Sequence, residues 1–213
     1  MAVAGSIGII TAEEIANGAV TNDKLAGSIA NAKLANDSVT VNGTSIDLGA
    51  SETITAGKIL QIVTSNKTDT FSTASPAETA FVDTGLSVAI TPSATSSKIL
   101  ILWNMCIGAS ADNVTYMKLQ RGTTDILLGD AAGSRIRMSQ GQGGDYGDLW
   151  TIDTAAGHYI DSPSTTSATT YKWVWASNGS ATSFMNRSGR DHESTNDEDG
   201  RTVSSITALE IAG

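Results

Sequence analysis

The chain has 213 residues, of which 40% are hydrophobic and only 16% charged, with a formal net charge of −9 and an isoelectric point near 4.5. That balance excludes nucleic acid and anionic membrane surfaces as partners, because both require clustered Lys and Arg. Ser, Thr, Gly, Ala and Asn fill much of the remainder, a composition suited to turn-rich β structure rather than to a helical bundle.

The first element is a repeat. Aliphatic residues recur at Ile15, Val20, Leu25, Ile29, Leu34 and Val39, a step of five with one slip. Five residues turn an α-helix by about 500° and alternate faces on a strand, so neither structure gathers these side chains into one buried stripe. Between them "ANG", "TND", "AGS", "AND" and "VNG" supply bends, and Thr11 with Glu14 forms a capping box for one short helix. The units are too few to coil into a solenoid with its own core. Three copies around a common axis would bury what one cannot, so residues 1–57 are expected to be a repeat-containing attachment and trimerisation region. The alternative for this stretch is a flexible tail.

Residues 58–213 change pattern and predict an antiparallel β-sandwich of jelly-roll type, making the fold class all-β. "KILQIVTS" and "AFVDTGLSVAITPS" read as strands, with Leu86, Val88 and Ile90 on one face of the second. "SSKILILWNMCIGAS" places Ile99, Ile101, Trp103, Met105 and Ile107 on one side and Leu100, Leu102 and Cys106 on the other. Both faces avoid water, apart from Asn104, as in a strand set between two layers or between a sheet and another subunit. "VTYMKLQRGTTDILLGD" is a hairpin, and "SRIRMS", "DLWTID", "TTYKWVWAS", "TSFMNRS" and "RTVSSITALEIAG" are expected strands. Tyr171, Trp173 and Trp175 share a face, which is either core or subunit interface or else a sugar-stacking platform.

The segments "EIANGAVTNDKLAGSIANAKLANDSVTVNGTSIDLG" and "FVDTGLSVAITPSATSSKILILW", with "YMKLQRGTTDI", "DSPSTTSATTYKW" and "SSITALEIAG", resemble tail-fibre proteins of tailed bacteriophages, particularly those of marine and cyanobacterial viruses. The resemblance covers nearly the whole chain and implies a virion protein, made in the host cytoplasm, that trimerises and presents a globular tip to a host-surface glycan or protein. Other tail or fibre proteins would attach through the N-terminal region. The strand count also resembles trimeric heads of the tumour-necrosis-factor and complement type, with Trp103 and the N-terminal aliphatics serving core or trimer interface.

No enzyme emerges from the residues, and no cofactor is called for. His158 and His192 lack a zinc spacing, the lone Cys106 sits within an apolar run and reads as a small buried residue, and no Gly-x-Ser-x-Gly elbow places a nucleophile. The chief enzymatic rival is a polysaccharide depolymerase, whose paired carboxylates have spatial rather than sequential spacing. A purely structural joining or decorating protein is the other. The run at 98–108 is far shorter than the roughly 20 residues of a spanning helix, and "MAVAGSIGIIT" lacks a signal peptide's basic flank, so no membrane insertion is expected.

Two loops have the makeup of contact surfaces. "GQGGDYGD" sets Asp145, Tyr146 and Asp148 among glycines, like an adaptable recognition loop, though an ordinary solvated loop has the same composition. "RDHESTNDEDGR" carries His192, Glu193, Asp197 and Asp199; it is a solvated tip loop, a cation site or a receptor contact. An EF-hand match fails at its first and twelfth positions, Thr195 and Ile206, so no metal ligands are assigned.

Overall fold

The computed structural model describes residues 35–41, 43–52, 58–74, 77–110, 114–143, 149–178, 181–193 and 199–213. The chain divides into two compact units, Met1–Ala56 and Gly57–Gly213. In the first, β1 (Ser38–Val41) and β2 (Thr44–Asp47) form an antiparallel hairpin, with Gly43 at φ 81° in its turn, a conformation that favours glycine. Val39 lies on β1 opposite Ile46 and is 53% exposed. Ile15, Val20, Leu25, Ile29 and Leu34 lie outside the described residues.

The second unit is built from nested strand pairs. β3 (Ile59–Lys67) pairs with the final strand β13 (Ser204–Ile211), β5 (Val82–Ile90) with β11 (Thr169–Ser177), β6 (Lys98–Ala109) with β10 (Asp153–Asp161), and β7 (Val114–Arg121) with β9 (Gln140–Gly143), all antiparallel. β13 also joins β6, and β11 joins β7, which assembles the pairs into two sheets. First with last, then inward pair by pair, is jelly-roll pairing. β4 (Phe71–Ala74) and β12 (Thr182–Met185) extend the six-stranded sheet, and β8 (Thr124–Ile126) extends the five-stranded one. The described residues contain no helix, and so none long and apolar enough to cross a membrane.

Alternation explains the core. Leu86, Val88 and Ile90 of β5 meet Ile99, Ile101, Trp103, Met105 and Ile107 of β6 in one buried cluster, together with Met117, Leu119, Tyr171, Trp173, Trp175 and Ile206. The Trp103 and Trp173 rings, 4.9 Å apart, join the two sheets, so Trp103 belongs to the interior of one chain. The ladder at Tyr171, Trp173 and Trp175 is likewise interior, each residue being fully buried, and it offers no sugar platform.

Three sequence expectations fail locally. The stretch 134–139 alternates like a strand but is irregular, because β8 and β9 already occupy the edge of β7 that it could have joined. The strand expected at 148–153 begins only at Asp153, the last of those positions, with a turn at Leu149 and Trp150 before it. The glycine-rich stretch expected to be loop starts as β9, whose Gly141 sits opposite Tyr116. β10 itself carries small inward residues, Ala155 and Gly157, because Trp103 fills the space beneath it. A Cβ at Gly157 would lie 2.5 Å from the Trp103 ring. Gly157→Ala should therefore destabilise the head by about 1–3 kcal/mol, read as a lower urea midpoint with an unchanged slope.

Candidate functional site

Two surfaces distinguish the head from an ordinary sandwich. The first is the outer face of the six-stranded sheet. Register places Ile62, Leu209, Leu100 and Ile160 in one row across four strands, beside the row Thr64, Thr207, Leu102 and His158. Ile62 is 61% exposed, Ile160 51% and Leu102 40%. Among the outward positions of these four strands only Lys98, at one end, carries a full charge, in a chain whose net charge is −9. Cys106 is covered on this side, its thiol 3.6 Å from the Val203 carbonyl.

The outer face of the five-stranded sheet is of opposite character. Lys118 pairs with Asp125 at 2.7 Å and stacks over the Phe81 ring, and Lys172 pairs with Asp83 at 2.8 Å. Burial pushes the Asp83 and Asp125 carboxyls up, but hydrogen bonds from their lysines, and from Gly85 and Gln120 respectively, hold both below the ordinary value. One sheet thus shows water a salted, hydrogen-bonded face, and the other shows an aliphatic one.

The second surface lies at the end of the head away from where its first strand begins. Lys58 and Ala212 bond to each other where the unit begins, beside Lys98 at the start of β6. The opposite end of β6 meets Asp153, Ser183 and the turn at Arg187–Gly189. There the described flanks of the two candidate loops touch: the Arg190 N–H donates to the Leu149 carbonyl at 2.9 Å, and the Arg190 guanidinium lies 4.9 Å from the Trp150 ring centre. Trp150 is nonetheless 41% exposed.

Asp199 organises this end. It accepts hydrogen bonds from the Ser188 hydroxyl, from Arg190 Nε at 2.7 Å and from the His192 N–H at 3.2 Å. The Ser188 bond, chiefly, outweighs burial and holds its carboxyl below the usual range. Its side chain is 3% exposed, and through these bonds Asp199 anchors the turn at 188–192. Asp191, at φ 50°, ties the same turn to Arg201 at 2.8 Å and Arg187 at 3.5 Å. His192 and Glu193 are exposed on it, while Asp145, Tyr146, Asp148 and Asp197 lie outside the described residues. Trp150 and Arg190 were missed from sequence; an exposed aromatic beside a loop of mixed charge was the available signal. Among the described residues no three His, Cys, Asp or Glu side chains converge as metal ligands.

No protein-family model matches the chain, and no curated protein does. Similar solved structures come from infectious bursal disease virus: the Gt strain (12% identity, 81% of this chain and 46% of that one, TM-score 0.40), T=1 particles derived from the virus (10%, 82% and 44%, 0.38) and the VP2 subviral particle (10%, 81% and 49%, 0.38). This chain spans a little under half the length of each. The sandwich is defined by its own strand pairing.

Proposed function

We propose that the chain is a structural virion protein of a phage tail fibre, a homotrimer whose β-sandwich head binds a glycan or protein on the host surface during adsorption. Residues 1–57 attach it to other tail components, and the far-end loops meet the host. The observation that carries this reading is the exposed Trp150, stacked by Arg190, at the end of the head opposite its start. An aromatic held in place by a cation offers contact area at little further ordering cost. The copies meet through the aliphatic face of the six-stranded sheet, which carries no acidic side chain on its four long strands, since chains of net charge −9 repel one another wherever acidic surfaces approach. Three modest sites on one rigid head then act together through avidity, without turnover.

Fluorescently labelled full-length protein is expected to stain host cells and to compete with phage for adsorption. Failure of both, with the protein correctly folded, assigns the chain to joining or decorating tail parts instead. Host polysaccharide incubated with it should keep its length; shortening would make the protein a depolymerase.

A further inference from the structure

We infer that a groove beside Tyr116, on the margin of the polar sheet, binds a neutral saccharide through adjacent hydroxyl groups. The groove is shallow and open, with a volume of about 380 Å³, and is lined by Glu78, Tyr116, Ser134, Arg135, Ile136 and Met138. That volume lies within the range of small-ligand clefts. Its far wall closes tightly because Gly141 has no side chain: a Cβ there would lie 2.9 Å from the Met138 sulfur. The wall is also held in place. The Met138 carbonyl accepts from the Gly129 N–H at 3.1 Å, the Ser139 N–H donates to the Met117 carbonyl at 2.8 Å, and Arg137 Nε donates to the Gly129 carbonyl at 2.7 Å.

The three strongest hydrogen-bonding groups of the groove are unspent. Neighbouring charges on this sheet are paired, Lys118 with Asp125 and Lys172 with Asp83, yet among the described residues the Glu78 carboxylate, the Tyr116 hydroxyl and the Arg135 guanidinium have no hydrogen-bond or ion-pair partner. Burial, and then the negative charge of Glu78, push the Tyr116 phenol above its ordinary value, so it stays a donor. An acceptor-only carboxylate, a phenol that both donates and accepts, and a donor-only guanidinium around one space match a vicinal diol, whose oxygens also do both. Ile136, Met138 and the tyrosine ring supply apolar lining for the C–H face of a pyranose. Glu78 and Arg135 balance each other in charge, and the overall charge of −9 disfavours acidic sugars. Tyr116 stands near the start of β7, whose first residue accepts from Asn178 N–H at the same end of the head as the candidate loops.

The inference rests on the adsorption reading for its biological role and names the receptor class as glycan. Its test uses full-length protein and saturation-transfer NMR against a panel of neutral hexoses, deoxyhexoses and their disaccharides. The wild type should bind at least one; Tyr116→Ala and Arg135→Ala should bind at least tenfold more weakly, Tyr116→Phe should be intermediate, and Thr170→Ala, on the same sheet face, should be unchanged. All should share one circular-dichroism spectrum. A wild type that binds none of the panel, or binding that survives in both alanine variants, overturns the inference. Cell staining separates the two readings: undiminished staining by both groove variants removes the groove and leaves adsorption intact, whereas groove-dependent sugar binding without staining keeps the groove and removes adsorption.

Discussion

Glu210→Ala is expected to lower the stability of the head by about 3 kcal/mol at neutral pH, because it removes a buried carboxylate that accepts four hydrogen bonds at once. The Glu210 carboxylate, 1% exposed, accepts from the Ser93 N–H and hydroxyl at 2.6 Å each, the Ser97 hydroxyl at 2.7 Å and Gln61 Nε2 at 2.6 Å. Gln61 also donates to the Thr91 carbonyl at 2.7 Å, so this one acid joins the end of β13 to β3 and to the turn between β5 and β6. Glu210→Gln keeps the shape but turns an amide NH₂ toward donors, and should cost roughly half as much.

The same site predicts an acid response. Burial alone would push the Glu210 carboxyl up; hydrogen bonds from Ser93, Gln61 and Ser97 outweigh it and bring the value from 4.5 to about 2. A folded-state value below the unfolded one means that the stabilisation is complete above the unfolded value of 4.5 and is lost as pH falls toward about 2. The gap between wild type and Glu210→Gln in urea should therefore be constant from pH 7 to pH 5 and shrink below that. Protomer concentration must be fixed, since association shifts apparent stability. A gap that is flat down to pH 2 would show that Glu210 is not ionised in the native head.

Particular residues show what sequence could reveal. β5 and β6 were legible because large aliphatics alternate without interruption, and "TYKWVWA" because one face is wholly aromatic. β10 was opaque: Ala155 and Gly157 look like loop residues until Trp103 is known to lie under them. The converse holds at 134–139, where Ile136 and Met138 alternate with arginines and yet form no strand, because pairing needs an open edge and β7 has none there. The loops named as contact surfaces were legible from composition, but the role of Asp199 was not. Its partner Ser188 lies outside any local motif, so an anchoring carboxylate and a contact carboxylate look alike in sequence. The groove beside Tyr116 was invisible for the same reason: Glu78, Tyr116 and Arg135 sit on separate segments that only the closed sandwich assembles.

In the trimer proposed above, Leu102→Glu should leave the head a folded monomer. The doubly apolar β6 fits a strand between a sheet and another subunit, and among the described residues no strand covers the outer rows through Leu100 and Leu102. An uncompensated carboxylate at such a contact costs about 3–5 kcal/mol, repeated in each of three copies, whereas in the monomer Leu102 is 40% exposed and tolerates the charge. Because residues 1–57 are expected to associate independently, the measurement belongs on residues 57–213, which form their own compact unit. Light scattering of this head should give three times the mass of one chain, falling to a single mass in Leu102→Glu and Ile62→Glu, with circular dichroism unchanged. Thr170→Glu, on the polar sheet, should remain trimeric. A wild-type head that is monomeric at high concentration, or a Leu102→Glu head that keeps its full mass, removes this face as the place where copies meet. The full-length chain carrying Leu102→Glu then reports on residues 1–57 alone: retention of trimer mass there would assign association to the five-step aliphatics, and loss would assign it to the head.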